Sequence, residues 1–98
     1  MQFAVIGLDG TDANALNRRM AARERHLQLA KSLKDEKHLL HASALLDDSE
    51  EMMGSVMIVD FNTREDLDNW LKVEPYMVGK VWEKVEVRGC KVSPLFLP

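Results

Sequence analysis

Two arginines and a histidine recur at helical spacing in the first half of the chain. Arg19, Arg23 and His26 lie at i, i+4 and i+7 within residues 13–36, a segment without glycine or proline that predicts a long helix. Projected at about 100° per residue, the three polar side chains fall in the same sector as five apolar ones. The apolar members of that sector, which we expect to be core residues, are Leu16, Met20, Leu27, Ala30 and Leu33.

This polar row has two interpretations. Burying guanidinium and imidazole groups in a core is costly unless they meet partners, water or an anion, so the row favours a polar pocket between the helix and a sheet. Alternatively, the arginine side chains extend to the edge of the helix and His26 is an ordinary hydrogen-bonded histidine. Periodicity alone leaves both interpretations open.

His26 is the strongest candidate for acid/base chemistry in this sequence. An imidazole titrates near neutral pH and can exchange a proton without extreme tuning by its surroundings. A carboxylate would be needed to orient or charge the ring. His41 either shares the pocket with His26 or lies on the face of a strand.

The histidines and the cysteine do not form a metal motif. His38 and His41 are three residues apart, which on a strand places their side chains on opposite faces. Neither His26 nor Cys90 stands at the spacing from other ligands that a zinc site requires. We therefore expect no metal. The sequence has no glycine-rich phosphate loop either, so we expect no nucleotide cofactor.

Composition limits the classes of function. The 98 residues, 46% apolar and 30% charged, predict one globular domain over residues 1–98. Thirteen Lys and Arg against sixteen Asp and Glu, spread along the chain, lack the basic footprint of a nucleic-acid-binding protein. No run of about 18 apolar residues could cross a membrane, and the apolar residues 2–8 lack the basic start of a signal peptide. A single cysteine fits a reducing compartment, so we expect a cytoplasmic protein.

Hydrophobic patterning predicts strands and helices in alternation. Residues 55–61 are apolar at both parities, so both faces of that strand must be buried. Residues 81–87 alternate between apolar and charged side chains, with Glu83 as the exception, and Pro75 should end the second helix. The predicted elements are a strand at 3–8, a helix at 13–36, a strand at 37–46, a strand at 55–61, a helix from 63 to Pro75, a turn at 75–79 and a strand at 81–87.

The order β-α-β-β-α-β is typical of the ferredoxin-like α+β fold, a four-stranded antiparallel sheet with both helices on one face. Two helices cover only one face of such a sheet, yet the first and third strands are apolar on both. A second copy of the chain, packed sheet to sheet about a two-fold axis, is the simplest cover. We therefore expect a homodimer or a higher oligomer built from dimers.

Three short motifs lie in an order and spacing that extend from strand one to about residue 87. They are Arg23-x-x-His26-Leu27 in the first helix, Gly54-Ser55 at the third strand and Glu74-Pro75-Tyr76 after the second helix. Together they resemble the YciI-like (YCII-related) family. The resemblance implies a ferredoxin-like domain that dimerises into a dimeric α+β barrel, and a catalytic dyad of histidine and aspartate in a small cleft.

The resemblance assigns the histidine of the dyad to His26, the carboxylate to Glu74 and the motif arginine to Arg23. Glutamate keeps the charge of the family's aspartate but adds one methylene, which moves the carboxylate by about 1.5 Å. Where many relatives have a small glycine-rich segment after strand two, this chain has His-Ala-Ser at residues 41–43. The floor of the cleft is therefore expected to differ.

From these observations we predict a cofactor-free acid/base enzyme that performs an elimination, isomerisation or hydrolysis on a small anionic organic molecule. His26 would move the proton, Glu74 would hold or charge the imidazole, and Arg23 would bind an anionic group. The alternatives are a non-catalytic small-molecule binding or sensing module and a structural dimer. The residues expected to line the pocket beside them are Ser55, Tyr76 and His41.

Overall fold

The computed structural model describes residues 1–97 and confirms the predicted order of elements, with two additional short helical segments. All strand pairs are antiparallel, and the sheet order is β2-β3-β1-β4. None of the helices in the described part of the chain is long and apolar enough to cross a membrane. The elements are β1 (Gln2–Asp9), α1 (Ala15–Asp35), β2 (Leu39–Leu46), β3 (Met52–Asp60), α2 (Arg64–Val73), α3 (Pro75–Val78), β4 (Trp82–Cys90) and a final 3₁₀ helix (Pro94–Phe96).

The two central strands divide their side chains between a covered and an open face of the sheet. Val5 of β1 and Val59 of β3 are fully buried beneath the helices, where they join the hydrophobic core with Leu67 of α2. Ile6 and Ile58, which point the other way, remain only partly buried within one chain. The helices therefore cover only one face of the sheet. The other face of the central strands is also apolar, and the helices of the same chain do not cover it.

Helix α1 packs on the sheet through small and polar side chains. Ala22 is buried, and so are Arg19 and His26, whereas Met20 and Leu27 are 51% and 48% exposed. The prediction that Met20 and Leu27 belong to the core was wrong. Alanine brings the helix close to its neighbours, and Arg19 and His26 find polar partners there, so the polar-pocket interpretation of the row holds for these two side chains.

Helix α2 begins and ends where the sequence indicated. Thr63 caps its first turn, because the Oγ1 atom accepts a hydrogen bond of 3.0 Å from the backbone N–H of Asp66. The helix ends at Val73, but Pro75 then opens α3, a single helical turn in place of the predicted turn. Proline fits the first helical position, where its missing N–H is not needed.

A bulge at the start of β4 explains the exception in the alternation of that strand. Leu8 pairs with Lys84 while the next residue, Asp9, pairs with Trp82, so Glu83 is the extra residue. The shift places the indole of Trp82 on the helix side of the sheet. There the ring lies directly over Gly7, where any Cβ atom would collide with it.

Candidate active site

A cavity of about 140 Å³ lies between α1, the β2 and β3 strands and α3. Its inner wall carries the polar side chains of α1, and its floor is formed by the sheet. The predicted site residues His26, Ser55 and Tyr76 all line this cavity. The residues that line it are Arg19, Arg23, His26, Leu27, Ala42, Ser43, Ala44, Met52, Ser55, Met57 and Tyr76.

His26 and Glu74 are hydrogen-bonded to each other beneath this cavity. The Nδ1 atom of the imidazole donates to Oε1 of Glu74, because an ionised carboxylate can only accept. The Glu74 side chain is fully buried, and within residues 1–97 its Oε2 atom has no hydrogen-bond partner. The carboxylate therefore holds Nδ1 of His26. Nε2 of the same ring, which lines the cavity, forms no hydrogen bond within residues 1–97.

The extra methylene of Glu74 is accommodated by its position between two helices. Glu74 follows the last residue of α2 and caps the first turn of α3, where Oε1 also accepts from the backbone N–H of Tyr76 at 3.3 Å. Because the side chain folds back over this turn, the carboxylate reaches His26 in spite of its additional length. The glutamate thus serves as a helix cap and as the partner of the imidazole.

The ring of Tyr76 stacks on the imidazole of His26. The ring centroids are 3.8 Å apart with an interplanar angle of 10°, and the guanidinium carbon of Arg19 lies 4.7 Å from the phenol centroid. Burial raises the pKa of the Tyr76 phenol, although the positive charge of Arg19 opposes the shift. The phenol therefore stays protonated at neutral pH and can donate a hydrogen bond.

Arg19 forms a buried ion pair that extends to the floor of the cavity. Its Nη1 atom lies 3.0 and 3.1 Å from the two carboxylate oxygens of Asp9, and Nη2 donates to Oγ of Ser55 at 2.9 Å. The Asp9 and Arg19 side chains are each only 3% exposed. Burial raises the pKa of Asp9, and the guanidinium of Arg19 opposes that shift.

Arg23 lies at the edge of the cavity, one helical turn from Arg19. Its side chain is exposed, and within residues 1–97 it forms no ion pair. The two arginines of the row thus differ in their surroundings. Arg19 is neutralised by Asp9 inside the fold, whereas Arg23 presents an uncompensated positive charge beside the opening.

His41 does not lie in the cavity. In the sheet register His41 is opposite Ile58, which faces away from the helices, whereas the next residue, Ala42, is opposite Met57 on the cavity side. The imidazole Nε2 of His41 is instead 2.6 Å from Oγ of Ser43 on the exposed surface. Among residues 1–97, no three His, Cys, Asp or Glu side chains are grouped as a metal ion would require.

A sequence model for the YCII-related domain matches residues 1–91. The chain belongs to the YCII-related family. Protein YciI of Escherichia coli O6:H1 is 31% identical to this YCII-related chain over 97 residues, which cover 93% of the chain and 97% of the relative. An uncharacterized protein of Haemophilus influenzae is 32% identical over 84 residues, covering 80% of the chain and 86% of the relative.

Solved structures with the same fold confirm the predicted ferredoxin-like architecture of this YCII-related chain. The 5-chloro-2-hydroxyhydroquinone dehydrochlorinase TftG of Burkholderia phenoliruptrix superimposes with a TM-score of 0.81 at 18% identity, covering 95% of this chain and 96% of that one. A dimeric ferredoxin-like protein of unknown function from Jannaschia superimposes with a TM-score of 0.55 at 17% identity, covering 93% and 98%.

Sequence reasoning missed the ion pair beside the YCII-related motifs. The predicted first strand ends at residue 8, before Asp9, and the sequence prediction gives Arg19 of the polar row no role in the site. The sequence contains one signal that could have indicated the role of Arg19: it lies inside the apolar sector of the helix, one turn before Arg23. Asp9 continues the alternation of β1 with Phe3 and Val5, which places its carboxylate on the helix side of the sheet.

Proposed function

We propose that this protein is a small cytoplasmic enzyme that performs cofactor-free acid/base chemistry on a small anionic organic molecule. The observation that carries the proposal is the buried His26–Glu74 pair at the wall of the cavity. A carboxylate that holds Nδ1 fixes the tautomer and the orientation of the imidazole, so that Nε2 can accept a proton from a bound molecule. The alternative, a structural role for the pair, would not need an adjoining cavity.

The surrounding groups suit an anionic, oxygenated substrate. The free positive charge of Arg23 would bind an anionic group at the opening, and the hydroxyls of Ser55 and Tyr76 would contact oxygen atoms deeper inside. A cavity of roughly 150 Å³ lined by apolar side chains holds one benzene ring, so a volume of about 140 Å³ limits the buried part of the substrate to a single ring. Larger ligands would have to extend past Arg23.

In the proposed reaction Nε2 of His26 removes a proton from the substrate. The electron pair left behind forms a new double bond, and a leaving group departs with the electrons of the bond that breaks. Glu74 stabilises the imidazolium that forms, and the proton then passes to the leaving group or to solvent. An isomerisation would use the same base and return the proton to another atom of the substrate.

Elimination is the first reaction to test. TftG, which shares the fold, is described as a dehydrochlorinase and is bound to 2,5-dihydroxybenzoquinone. Loss of hydrogen chloride from a hydroxylated ring needs a base for the proton and stabilisation of charge on oxygen, but no net oxidant. These requirements match the groups that line the cavity of this chain.

The deciding experiment measures chloride release from 5-chloro-2-hydroxyhydroquinone and from related halogenated phenols. We expect turnover by the native protein and a loss of about 10²- to 10⁴-fold in kcat for His26→Gln, the usual contribution of a general base. Ser32→Ala, which removes an exposed hydroxyl of α1 outside the cavity, is the matched control. Tight binding of these molecules without turnover of any of them would favour the sensing module instead.

We further propose that two copies pack through the open face of the sheet. Ile6 and Ile58 lie on this face, partly exposed within one chain, and a solved neighbour with the same fold is described as dimeric. Two-fold packing of identical faces buries the same apolar patch on both copies. The product is the dimeric α+β barrel that the family resemblance implies.

A further inference from the structure

Two large apolar side chains of α1 lie unburied beside the opening of the cavity. Met20 and Leu27 are 51% and 48% exposed, and their spacing of i and i+7 places them on the same side of the helix. Leu27 lines the cavity itself, whereas Met20 lies outside it. The two residues form an apolar strip that starts at the cavity and continues over the outer surface of α1.

A surface groove of about 500 Å³ follows this apolar strip. Its lining residues are Met20, Arg23, Glu24, Leu27, Gln28 and Lys31. Arg23 and Leu27 also line the cavity, so the groove and the cavity adjoin at these two residues. A molecule too large for the cavity of about 140 Å³ can therefore extend into the groove and stay in contact with the protein.

The wall of the cavity opposite α1 is made of small or flexible side chains. β2 contributes Ala42 and Ala44, and β3 contributes Met52 near its start. Alanine leaves space beside Leu27, and a methionine side chain adapts to ligands of different shape. A ring in the cavity can therefore carry a substituent that leaves between α1 and β2.

The composition of the groove suits a small molecule better than a protein partner. Stable protein interfaces bury about 800 Å² on each partner, and their centres are poor in lysine and glutamate. Here only two apolar side chains are present, and Glu24 and Lys31 border them. A strip of this width fits a hydrocarbon chain, which gains free energy from apolar contact and needs no hydrogen bond.

We propose that the apolar strip is an outer subsite for a short hydrocarbon chain attached to the substrate ring, and that Leu27 and Met20 are specificity-determining residues. Arg23 lies between them on α1, so an anionic group at the end of the chain meets its guanidinium. The substrate class is a single ring with a short carboxyalkyl chain. The inference rests on the proposed function, because it describes the substrate of the same cavity.

A ladder of 4-alkylphenols measures the apolar contact without a charge on the chain. From 4-methylphenol to 4-butylphenol, each step adds one methylene group and leaves the ring unchanged. We expect the affinity of the native protein, measured by titration calorimetry, to rise by about two- to fourfold per methylene. The stoichiometry should stay at one ligand per chain along the ladder.

Two variants separate the inner and outer parts of the apolar strip. Leu27→Ala should reduce the gain to less than about 1.5-fold per methylene, whereas Met20→Ala should reduce only the last steps of the ladder. Val73→Ala truncates an exposed apolar side chain of α2 outside the groove and should leave every step unchanged. Because all three side chains are exposed, we expect the variants to fold, and thermal unfolding curves verify this.

A second pair of ligands tests the anionic end of the chain. 3-(4-Hydroxyphenyl)propanoate carries a carboxylate, whereas the corresponding amide is neutral and has nearly the same shape. We expect the native protein to prefer the carboxylate by about three- to fivefold, the effect of an exposed ion pair. Arg23→Met should abolish this preference and keep the gain along the alkylphenol ladder.

Four results would overturn the assignment. A native ladder without a gain in affinity would exclude the subsite, and so would a gain that neither Leu27→Ala nor Met20→Ala reduces. Equal binding of the carboxylate and its amide to the native protein would exclude the substrate class. A changed light-scattering mass of Leu27→Ala with an unchanged ladder would make the strip a contact between copies of the chain.

Turnover distinguishes this inference from the proposed function. A ladder that depends on Leu27, in a protein that turns over none of the ligands or halogenated phenols, would retain the subsite and reject the acid/base enzyme. His26-dependent turnover with a flat ladder would do the reverse.

Discussion

The carboxylate of Glu74 lies fully buried against Nδ1 of His26, although 48 residues separate the two positions in the chain. His26 comes from the middle of α1, and Glu74 lies at the junction of α2 and α3. The contact ties the two helical segments together beneath the cavity. It is the relationship on which the proposed chemistry depends, and most of the following predictions examine it or its surroundings.

Glu74→Gln should separate catalysis from stability. The amide oxygen of glutamine can still accept from Nδ1, so we expect the free energy of unfolding to change by less than about 1 kcal/mol. The imidazolium loses its stabilising charge, so kcat should fall by at least about tenfold. Urea unfolding and turnover measurements test the two parts. Glu83→Gln, in the exposed bulge of β4, is the control, and unchanged turnover in Glu74→Gln would contradict the dyad.

The two arginines of the row should respond differently to replacement by methionine. Arg19→Met leaves the buried carboxylate of Asp9 without its partner, so we expect a loss of about 3 to 5 kcal/mol in the free energy of unfolding. Arg23→Met removes an exposed charge without an ion-pair partner in residues 1–97, so stability should stay within about 0.5 kcal/mol of the parent.

The same Arg23→Met variant tests anion binding. If Arg23 binds the anionic group of the substrate, the variant should lose the protection that small carboxylate or phosphate ions give to the native protein in a thermal-shift assay. Lys31→Met, further along the exposed side of α1, provides the control. A large drop in melting temperature with an unchanged response to anions would make Arg23 a structural residue.

Tyr76 should ionise at a higher pH in the folded protein than in the unfolded chain. It is the single tyrosine of the sequence, so the tyrosinate absorbance reports on this residue alone. Burial raises the pKa of the phenol above its ordinary value of about 10. The stability that this group contributes is therefore complete below about pH 10 and is lost as the pH rises through the folded pKa. A native titration that coincides with the one in urea would contradict the burial of the phenol.

A charge on the open face should disrupt the proposed dimer. We expect the native protein to scatter light as at least twice the 11.2 kDa mass of one chain at micromolar concentration. Ile58→Asp places a carboxylate in the apolar contact and should give monomers or unfolded protein. Val73→Asp, on the exposed side of α2, should leave the assembly intact. A native protein that remains a monomer would rule out the dimer.

The sequence by itself determined the order of the elements and the family. Alternation in strands, the start of the second helix near residue 63 and the break at Pro75 are local properties, since each depends on neighbours within a few residues. The motifs around His26 and Glu74 could be identified for the same reason, because each is a short run of residues. None of these local patterns specifies which side chains contact each other across the fold.

Contacts between distant parts of the chain were decided only by the tertiary structure. A shift of one residue in register moves a side chain to the other face of the sheet. This is why Leu39 is opposite Val59 on the covered face, whereas His41, beyond the irregularity in β2, faces away from the cavity. Exposure of Met20 and burial of Arg19 depend on how closely α1 approaches the sheet and on which polar partners it finds there. These partners come from β1 and β3, and no pattern within a single helix can specify them.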